Sequence, residues 1–271
     1  MKKTLFIIIV FLFVSGRLWF YLTDGFTISN ISSELPSISS FEVKQSDYSP
    51  LNQKFTYLGK GCQSYVFLSN DGQYVLKFFK FKHLTPPLWT YFLPFGEGAI
   101  KKKEEKRNHL FNGCAIAFRH CMDECGLVAM HLVKEKVPFK EVDLIDKMGF
   151  HHTIDPSQYA FYIQRFGHSF LNKITTSESS DLKKIILDVI CLMKKRSLKG
   201  VRDCDPALIQ NLAIVDGAPI FIDLGQFIKD ESIVDPANMR NDFKEKLGPL
   251  IFNSDALLKN LFSAEDGDIF D

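Results

Sequence analysis

A glycine-containing hairpin, followed by a strand that carries one lysine, is the feature that most restricts how this chain can fold. The stretch from Leu58 to Lys77 reads LGKGCQSYVFLSNDGQYVLK. Gly59, Gly61 and the small Ser64 predict a turn whose backbone lets phosphate groups come close, because no large side chain stands in the way. The pattern therefore predicts a hairpin suited to a phosphate-bearing ligand.

The residues that follow predict two further strands. Val66 and Phe67 begin the second strand, and Asn70-Asp71-Gly72 has the composition of a tight turn. The third strand, Tyr74 to Phe79, is strongly β-prone and contains a single charged residue, Lys77. A lysine inside so apolar a run requires a partner, since an isolated buried charge is costly.

A second hairpin is predicted late in the chain. Leu212 to Val215 and Pro219 to Ile222 flank the turn signal Asp216-Gly217. Asn211 comes just before the first of these strands and Asp223 just after the second. Antiparallel pairing brings an amide oxygen and a carboxylate side by side, and such hard oxygen ligands suit a Mg²⁺ ion that bridges phosphates.

Taken in this order, the motifs resemble the protein-kinase-like family over roughly residues 55 to 227. In that family the glycine loop covers the ATP phosphates and the strand lysine contacts the α- and β-phosphates. Asp223-Leu224-Gly225 is similar to the family's metal-binding Asp-Phe-Gly. The resemblance implies ATP and Mg²⁺ as cofactors, with Asn211 and Asp223 on the metal. It also implies a nucleotide-binding set of Gly59, Lys60, Gly61, Ser64, Val66, Lys77 and Glu104.

Glu104 enters this set through a helix predicted from about Ile100 to Cys125. Glu104, Phe111 and Phe118 recur at heptad spacing, which places the carboxylate on the apolar face of that helix. In the family a carboxylate of the corresponding helix pairs with the strand lysine. The alternative is that Glu104 belongs to a solvated, charge-rich first turn.

Two aspartates compete for the catalytic role. Val201-Arg202-Asp203 resembles the family's His-Arg-Asp with the histidine replaced, and Asp203 precedes Asn211 by eight residues. Asp205 precedes Asn211 by six, which is closer to the family's spacing. The resemblance implies Asp205 as the group that accepts the proton of the acceptor hydroxyl, Asp203 as the second choice, and Lys77 on the phosphates. Alternatively, one of these acids caps the loop or pairs with Arg202 or Lys199.

The function implied is transfer of the γ-phosphate of ATP to a hydroxyl of an unknown protein or small-molecule acceptor. Ala207 stands where kinases acting on Ser or Thr usually have lysine, and no Ala-Pro-Glu follows Gly225. The chain thus resembles compact atypical kinases, or small-molecule and lipopolysaccharide-sugar kinases. The alternative is a membrane-tethered pseudokinase that serves as a nucleotide-binding or protein-interaction module.

The expected fold class is α+β, a two-lobed kinase-like fold with a five-stranded N-lobe sheet and a short, mainly helical C-lobe. Val142 to Met148 and Tyr159 to Phe166 supply the fourth and fifth strands. The expected divisions are a hydrophobic segment at 1–22, a Ser-rich linker at 23–50, an N-lobe at 51–166 and a truncated C-lobe at 167–271. Asp235 to Phe252 and Ser254 to Phe262 predict closing helices.

The N-terminal segment has two interpretations. Lys2 and Lys3 precede the apolar run Leu5 to Val14, which has the length of a signal-peptide core. Extended to Leu22, the helix is about 27 Å long at 1.5 Å per residue, enough for an uncleaved membrane anchor. The basic end is expected to stay in the cytoplasm, so the folded part is predicted to lie on the other side of the membrane, where ATP is scarce. An inverted anchor, or delivery of the protein into another cytosol, would remove this conflict.

The overall charge points to no polyanionic partner. The chain has 33 basic and 32 acidic residues, for a formal net charge of +1. A nucleic-acid-binding protein normally carries a marked basic excess, so no nucleic-acid partner is expected. The expected partners are a nucleotide, the unknown phosphate acceptor and, through the N-terminal segment, a membrane.

Overall fold

The structure is a computed structural model that describes residues 2–253 with the exception of 33, 44–45, 93–95, 135–138 and 178. Its architecture is mixed α+β, as predicted. The chain forms two compact units. Unit 1 comprises Met1–Ser39, Gln45–Glu104 and Ala129–Ile163, and unit 2 comprises Ser40–Lys44, Glu105–Val128 and Gln164–Asp271. The predicted helix from Ser254 to Phe262 lies outside the described residues.

The helical part consists of α-helices and short 3₁₀ turns. The α-helices are α1 (Lys2–Thr23), α2 (Ile28–Ile31), α3 (Gly96–His120), α4 (Phe170–Thr176), α5 (Ser179–Leu198) and α6 (Pro236–Asn253). The 3₁₀ turns are Ser39–Phe41, Ser49–Leu51, Phe81–His83, Leu88–Phe92, Pro156–Gln158, Leu208–Asn211 and Glu231–Val234.

The strands of the described residues form three sheets. They are β1 (Phe55–Lys60), β2 (Ser64–Ser69), β3 (Tyr74–Phe79), β4 (Leu127–His131), β5 (Val142–Ile145), β6 (His151–Ile154), β7 (Phe161–Arg165), β8 (His168–Ser169), β9 (Val201–Asp203), β10 (Leu212–Val215), β11 (Ala218–Phe221) and β12 (Phe227–Lys229). The largest sheet has the order β4-β7-β3-β2-β1-β5-β6, and the others are β11-β10-β8 and β12-β9.

The prediction of a five-stranded sheet is wrong, because the largest sheet has seven strands. The additional strands are β4 and β6. Strand β4 is a short apolar run without alternation, which periodicity alone cannot assign. Strand β6 lies at the edge of the sheet and exposes His151 and Thr153, so it lacks the hydrophobic pattern of a strand.

Helix α3 is shifted toward the N-terminus relative to its prediction. It ends at His120, whereas the sequence predicts continuation to Cys125. Gly126 has φ +56, and Leu127 donates its backbone N–H to the Met122 carbonyl at 2.9 Å. This left-handed glycine reverses the chain directly into β4, which a pattern of apolar residues does not reveal.

Part of the segment predicted as a Ser-rich linker packs against the large sheet. Phe26 is buried and makes edge-to-face contacts with Tyr65 and Phe67, with ring centroids 5.3 and 5.1 Å apart. Tyr65 also donates its hydroxyl to the Gly25 carbonyl at 2.6 Å. The residues that follow α1 are therefore joined to β2 through both apolar and polar contacts.

Asp24 makes polar contacts between the residues that follow α1 and the large sheet. Its carboxylate pairs with Lys60 at 3.0 Å and with Lys147 at 3.2 Å, and Tyr57 donates its hydroxyl to it at 3.1 Å. Burial raises the pKa of Asp24, but the hydrogen bonds from Lys60, Lys147 and Tyr57 outweigh burial and hold the pKa below its ordinary value. Ionised Asp24 thus stabilises the folded state.

Replacement of Phe26 tests whether this segment belongs to the folded unit. Phe26→Ala is expected to lower the free energy of unfolding by about 3–5 kcal/mol, because it empties an aromatic site in the core. Phe150→Ala is the matched control, since Phe150 is 59% exposed, and its effect is expected to stay within about 0.5 kcal/mol. Both are measured by denaturant unfolding of the full chain in detergent. Equal small effects would show that residues 24–31 do not contribute to the fold.

The stabilisation from Asp24 is expected to depend on pH. Because the folded-state pKa is lowered, the contribution is complete above the ordinary aspartate pKa of about 3.9 and is lost as the pH falls through the folded-state value. The difference in unfolding free energy between wild type and Asp24→Asn should be constant from pH 7 to 5 and shrink below pH 4. Other acids cancel in this difference, so a gap that persists unchanged at pH 3 contradicts the assignment.

Candidate functional site

Three sequence-predicted residues of unit 1 lie side by side across adjacent strands. Gly59 of β1 is the partner of Val66 on β2, and Val66 is the partner of Lys77 on β3. Directly opposed residues of antiparallel strands share a face of the sheet. At about 4.8 Å between strands, Gly59 and Lys77 are separated by roughly 10 Å across Val66.

The two loop glycines leave open space above their backbone. A Cβ atom built at Gly59 meets nothing within 4 Å, and one at Gly61 meets only the Ser64 Oγ at 3.8 Å. Neither glycine has the left-handed φ that would demand this residue type. Since neither packing nor backbone conformation requires glycine here, the observation fits a backbone that a phosphate group approaches.

Lys77 is buried, as its place in an apolar strand predicts. Its Nζ atom lies 5.4 Å from the ring centroid of Tyr162 on β7. Glu104 is exposed on α3, and its pairing with Lys77 stays a prediction. Lys60 pairs with Asp24, and its proposed contact with nucleotide likewise stays a prediction.

Lys80 is a residue of this region that the sequence analysis missed. It is buried, its Nζ donates a hydrogen bond to the Gly61 carbonyl, and its backbone N–H donates to the Gln63 carbonyl at 2.8 Å. Burial lowers the pKa of Lys80, as does the nearby charge of Lys60. Lys80 therefore ties the end of β3 to the tip of the glycine hairpin. Its flanking sequence, Phe78-Phe79-Lys80-Phe81, was the available signal for a second buried lysine.

In unit 2 the predicted β10–β11 hairpin is confirmed. Its turn residues Asp216 and Gly217 both have positive φ, at 50° and 84°, as a type I′ turn requires. Leu212 is the partner of Phe221, and one step further Ile222 donates its N–H to the Asn211 carbonyl at 2.8 Å. The register thus places Asn211 and Asp223 at the same end of the hairpin.

The amide of Asn211 has unused hydrogen-bonding capacity. Asn211 is buried, and among the described residues its Nδ2 atom has no hydrogen-bond partner. Asp223 is half-buried, and its Oδ1 atom accepts a hydrogen bond from the Gly225 N–H at 3.3 Å. Buried polar groups are normally paired, so the orphaned amide fits a position where a further group binds.

These residues fit Mg²⁺ only together with an anionic ligand. The described part of the chain contains no group of three or more His, Cys, Asp or Glu residues that could hold a metal ion. Asn211 and Asp223 supply two oxygen ligands, whereas Mg²⁺ takes six and commonly completes its shell with phosphate oxygens and water. The set suits a metal that arrives with a nucleotide.

The two candidate catalytic aspartates differ in accessibility. Asp203 is buried at 3.8 Å from both Arg196 and Lys246, and burial raises its pKa. Asp205 is half-buried; it donates its N–H to Asp203 at 2.9 Å and accepts a hydrogen bond from the Ala207 N–H at 2.8 Å. Of the two, Asp205 is the more accessible, and the catalytic role of either aspartate stays a prediction.

Asp203 belongs to a buried charge cluster that the sequence analysis did not predict. Arg196 of α5 is fully buried and pairs with Asp242 of α6 at 3.0 Å. Lys246 lies 3.7 Å from Asp242 and donates a hydrogen bond to the Asp203 carbonyl. The cluster joins two helices to β9, and only the tertiary structure brings its members together.

Gly113 of α3 lies in close contact with the backbone that follows Asp223. A Cβ atom at Gly113 would lie 2.8 Å from the Leu224 carbonyl oxygen and 2.9 Å from that of Gly225. Real Cβ atoms do not approach backbone oxygens so closely. Glycine at this position is therefore required by packing, and it holds the Asp223-Leu224-Gly225 segment against the helix.

Substitution of this glycine should be unfavourable despite the helix propensity of alanine. Gly98 of the same helix is the matched control, because a Cβ atom there meets nothing within 4 Å. Gly98→Ala is expected to be neutral or to stabilise by up to about 1 kcal/mol. Gly113→Ala is expected to destabilise by about 1–3 kcal/mol through overpacking. Unfolding midpoints of the two variants test this, and equal stabilisation of both would contradict the close contact.

Comparisons with known proteins give no family for this chain. No family model matches it, and no curated protein matches it. Three solved structures of WbdD match with TM-scores of 0.39 each. Monomeric WbdD is 14% identical and the match covers 76% of this chain and 41% of that chain. WbdD with the kinase inhibitor LY294002 is 13% identical, with coverages of 79% and 42%. The bifunctional kinase-methyltransferase WbdD is 14% identical, with coverages of 76% and 44%. The chain spans about two fifths of the length of these structures.

Proposed function

We propose that the protein is an ATP-dependent phosphotransferase with a kinase-like fold, which transfers the γ-phosphate to a hydroxyl of a protein or small-molecule acceptor. The observation that carries the proposal is the alignment of Gly59, Val66 and Lys77 across three neighbouring strands. An open glycine backbone and a buried ammonium on one face of a sheet are complementary to a chain of phosphates. Lys80 supports this arrangement by holding the hairpin tip.

Each proposed residue has a defined chemical role. Lys77 offsets the phosphate charge, and Asn211 and Asp223 are the residues that hold Mg²⁺, which supplies further charge neutralisation when bound. Asp205 orients the acceptor hydroxyl and takes its proton. The acceptor oxygen forms a bond to the γ-phosphorus while the bond to the bridging β–γ oxygen breaks, and ADP leaves.

A nucleotide-binding pseudokinase is the second candidate, and the environment of Asp203 favours it. Val201 replaces the histidine of the family's His-Arg-Asp. Asp203, which stands at the aspartate position of that motif, is buried between Arg196 and Lys246. If Asp205 does not replace it, the chain binds nucleotide without turnover.

We further propose that α1 anchors the protein in a membrane. Among the described residues, Lys3–Thr23 is a 21-residue stretch long and apolar enough to cross a bilayer, and apart from Thr23 none of these residues is buried in the structure. A signal sequence passes the same test of length and composition. The contacts of Asp24 and Phe26 with the large sheet favour an uncleaved segment, because they attach the end of α1 to the folded unit.

Thermal unfolding with and without MgATP tests the nucleotide part of the proposal. At about 100 times its Kd, MgATP should stabilise the full chain in detergent by roughly 2.7 kcal/mol, a shift of several degrees. Lys77→Ala and Asp223→Ala should reduce the shift, and Lys229→Ala, a change at an exposed lysine, should leave it intact. A wild type that does not respond to MgATP contradicts both candidate functions.

Turnover separates the two candidates. Incubation with γ-labelled ATP and pools of protein, sugar and lipid acceptors should give a labelled product if the protein is an enzyme. Asp205→Asn should then abolish labelling and keep the MgATP shift, since Asp205 acts on the acceptor and Lys77 on the nucleotide. A full shift without labelling of any acceptor, or labelling that survives Asp205→Asn, contradicts the assigned catalytic role.

A further inference from the structure

One edge of the large sheet exposes apolar side chains next to the end of α1. Strands β1 and β5 are parallel neighbours, with Phe55 opposite Leu144, so their C-terminal ends meet at the same edge. Leu58 lies near the end of β1 and Met148 and Phe150 follow the end of β5, and these side chains are 49%, 42% and 59% exposed. We call these three residues the apolar edge. They stand at the β1 bulge and in the β5–β6 turn.

Two lysines that neighbour the apolar edge in sequence contact α1 and the residue that follows it. Lys147, next to Met148, donates a hydrogen bond to the Tyr21 carbonyl at 2.9 Å and pairs with Asp24 at 3.2 Å. Lys60, two residues after Leu58, pairs with Asp24 at 3.0 Å and lies 4.1 Å from the ring centroid of Phe20. The last turn of α1 and the apolar edge are thus parts of one connected patch.

The composition of this patch matches the boundary between lipid and water. Trp19, Phe20 and Tyr21 are exposed at the end of α1, and such aromatic residues are typical of the headgroup level of a membrane. The patch also carries charged groups of both signs, since Lys60 and Lys147 pair with Asp24, and the Met148 and Phe150 N–H groups donate to the carboxylate of Asp146.

We propose that the apolar edge is a second membrane contact, which rests in the headgroup region of the bilayer that α1 crosses. The inference rests on the proposed role of α1 as an anchor and goes beyond it. An anchor alone leaves the folded unit free to tilt, whereas the Asp24 contacts and the apolar edge fix unit 1 against the lipid surface. The occupant is a lipid bilayer, because the patch is continuous with the only apolar helix among the described residues long enough to span one.

Quenching of single tryptophans by brominated lipids tests this contact. The full chain is reconstituted in vesicles of phosphatidylcholine and phosphatidylglycerol, with and without bromine on the upper acyl chain. Trp19→Phe and Trp89→Phe remove the two natural tryptophans, and Phe150→Trp or Met148→Trp reports on the apolar edge. Gln73→Trp is the matched control, since it lies in the exposed β2–β3 turn at the opposite edge, about 20 Å away over the length of β2.

Quenching of Phe150→Trp and Met148→Trp, by at least twice the fraction seen for Gln73→Trp, is the expected result. Equal quenching at both edges, or none at either, overturns the inference. A chain that keeps Trp19 reports on α1 separately. If Trp19 is quenched and the apolar edge is not, the anchor stands and the second contact fails. If Trp19 is not quenched, the anchor proposal itself fails. If the tryptophan emission of these variants changes with the protein density in the vesicles but is not quenched by brominated lipid, the apolar edge contacts a second copy of the chain. That result also overturns the inference.

Discussion

The register of the first three strands is the constraint on which the candidate site depends. Because Gly59, Val66 and Lys77 are successive partners across β1, β2 and β3, the open hairpin backbone and the buried ammonium share one face of the sheet. A shift of one residue in either pairing would place Gly59 and Lys77 on opposite faces of the sheet. The hydrogen bond from Lys80 to the Gly61 carbonyl holds the tip of the β1–β2 hairpin. The end of β3 and the residue that follows it therefore contribute Lys77, which lies on the same face as Gly59, and Lys80, which fixes the shape of the loop.

In unit 2, buried charged residues hold the loop that carries the candidate catalytic aspartates. The loop that carries Asp203 and Asp205 has few apolar residues to hold it, and the cluster of Arg196, Asp242 and Lys246 takes that role. Buried ion pairs add little net stability compared with apolar packing, but loss of one partner is strongly unfavourable. Such a cluster therefore specifies one loop conformation, in which Asp203 is confined and Asp205 stays accessible.

Local patterns sufficed where the structure is set by neighbours in the chain. The strands around Asn70-Asp71-Gly72 and the hairpin around Asp216-Gly217 form where turn chemistry and β-prone runs predict them. Strands β4 and β6 could not be predicted from local patterns. Strand β4 has no alternation of apolar and polar residues, and β6 is an edge strand that forms through its pairing with β5.

The sequence by itself determined the mixed α+β class, the two hairpins and the residue types that suit phosphate and metal, since these follow from turn residues and periodicity. Only the tertiary structure decided which of these groups are accessible. Asp203 is confined by charges from α5 and α6, Lys60 is paired with Asp24, and Gly113 packs against Leu224. These contacts join residues far apart in the chain, and a local pattern does not reveal which distant residues meet.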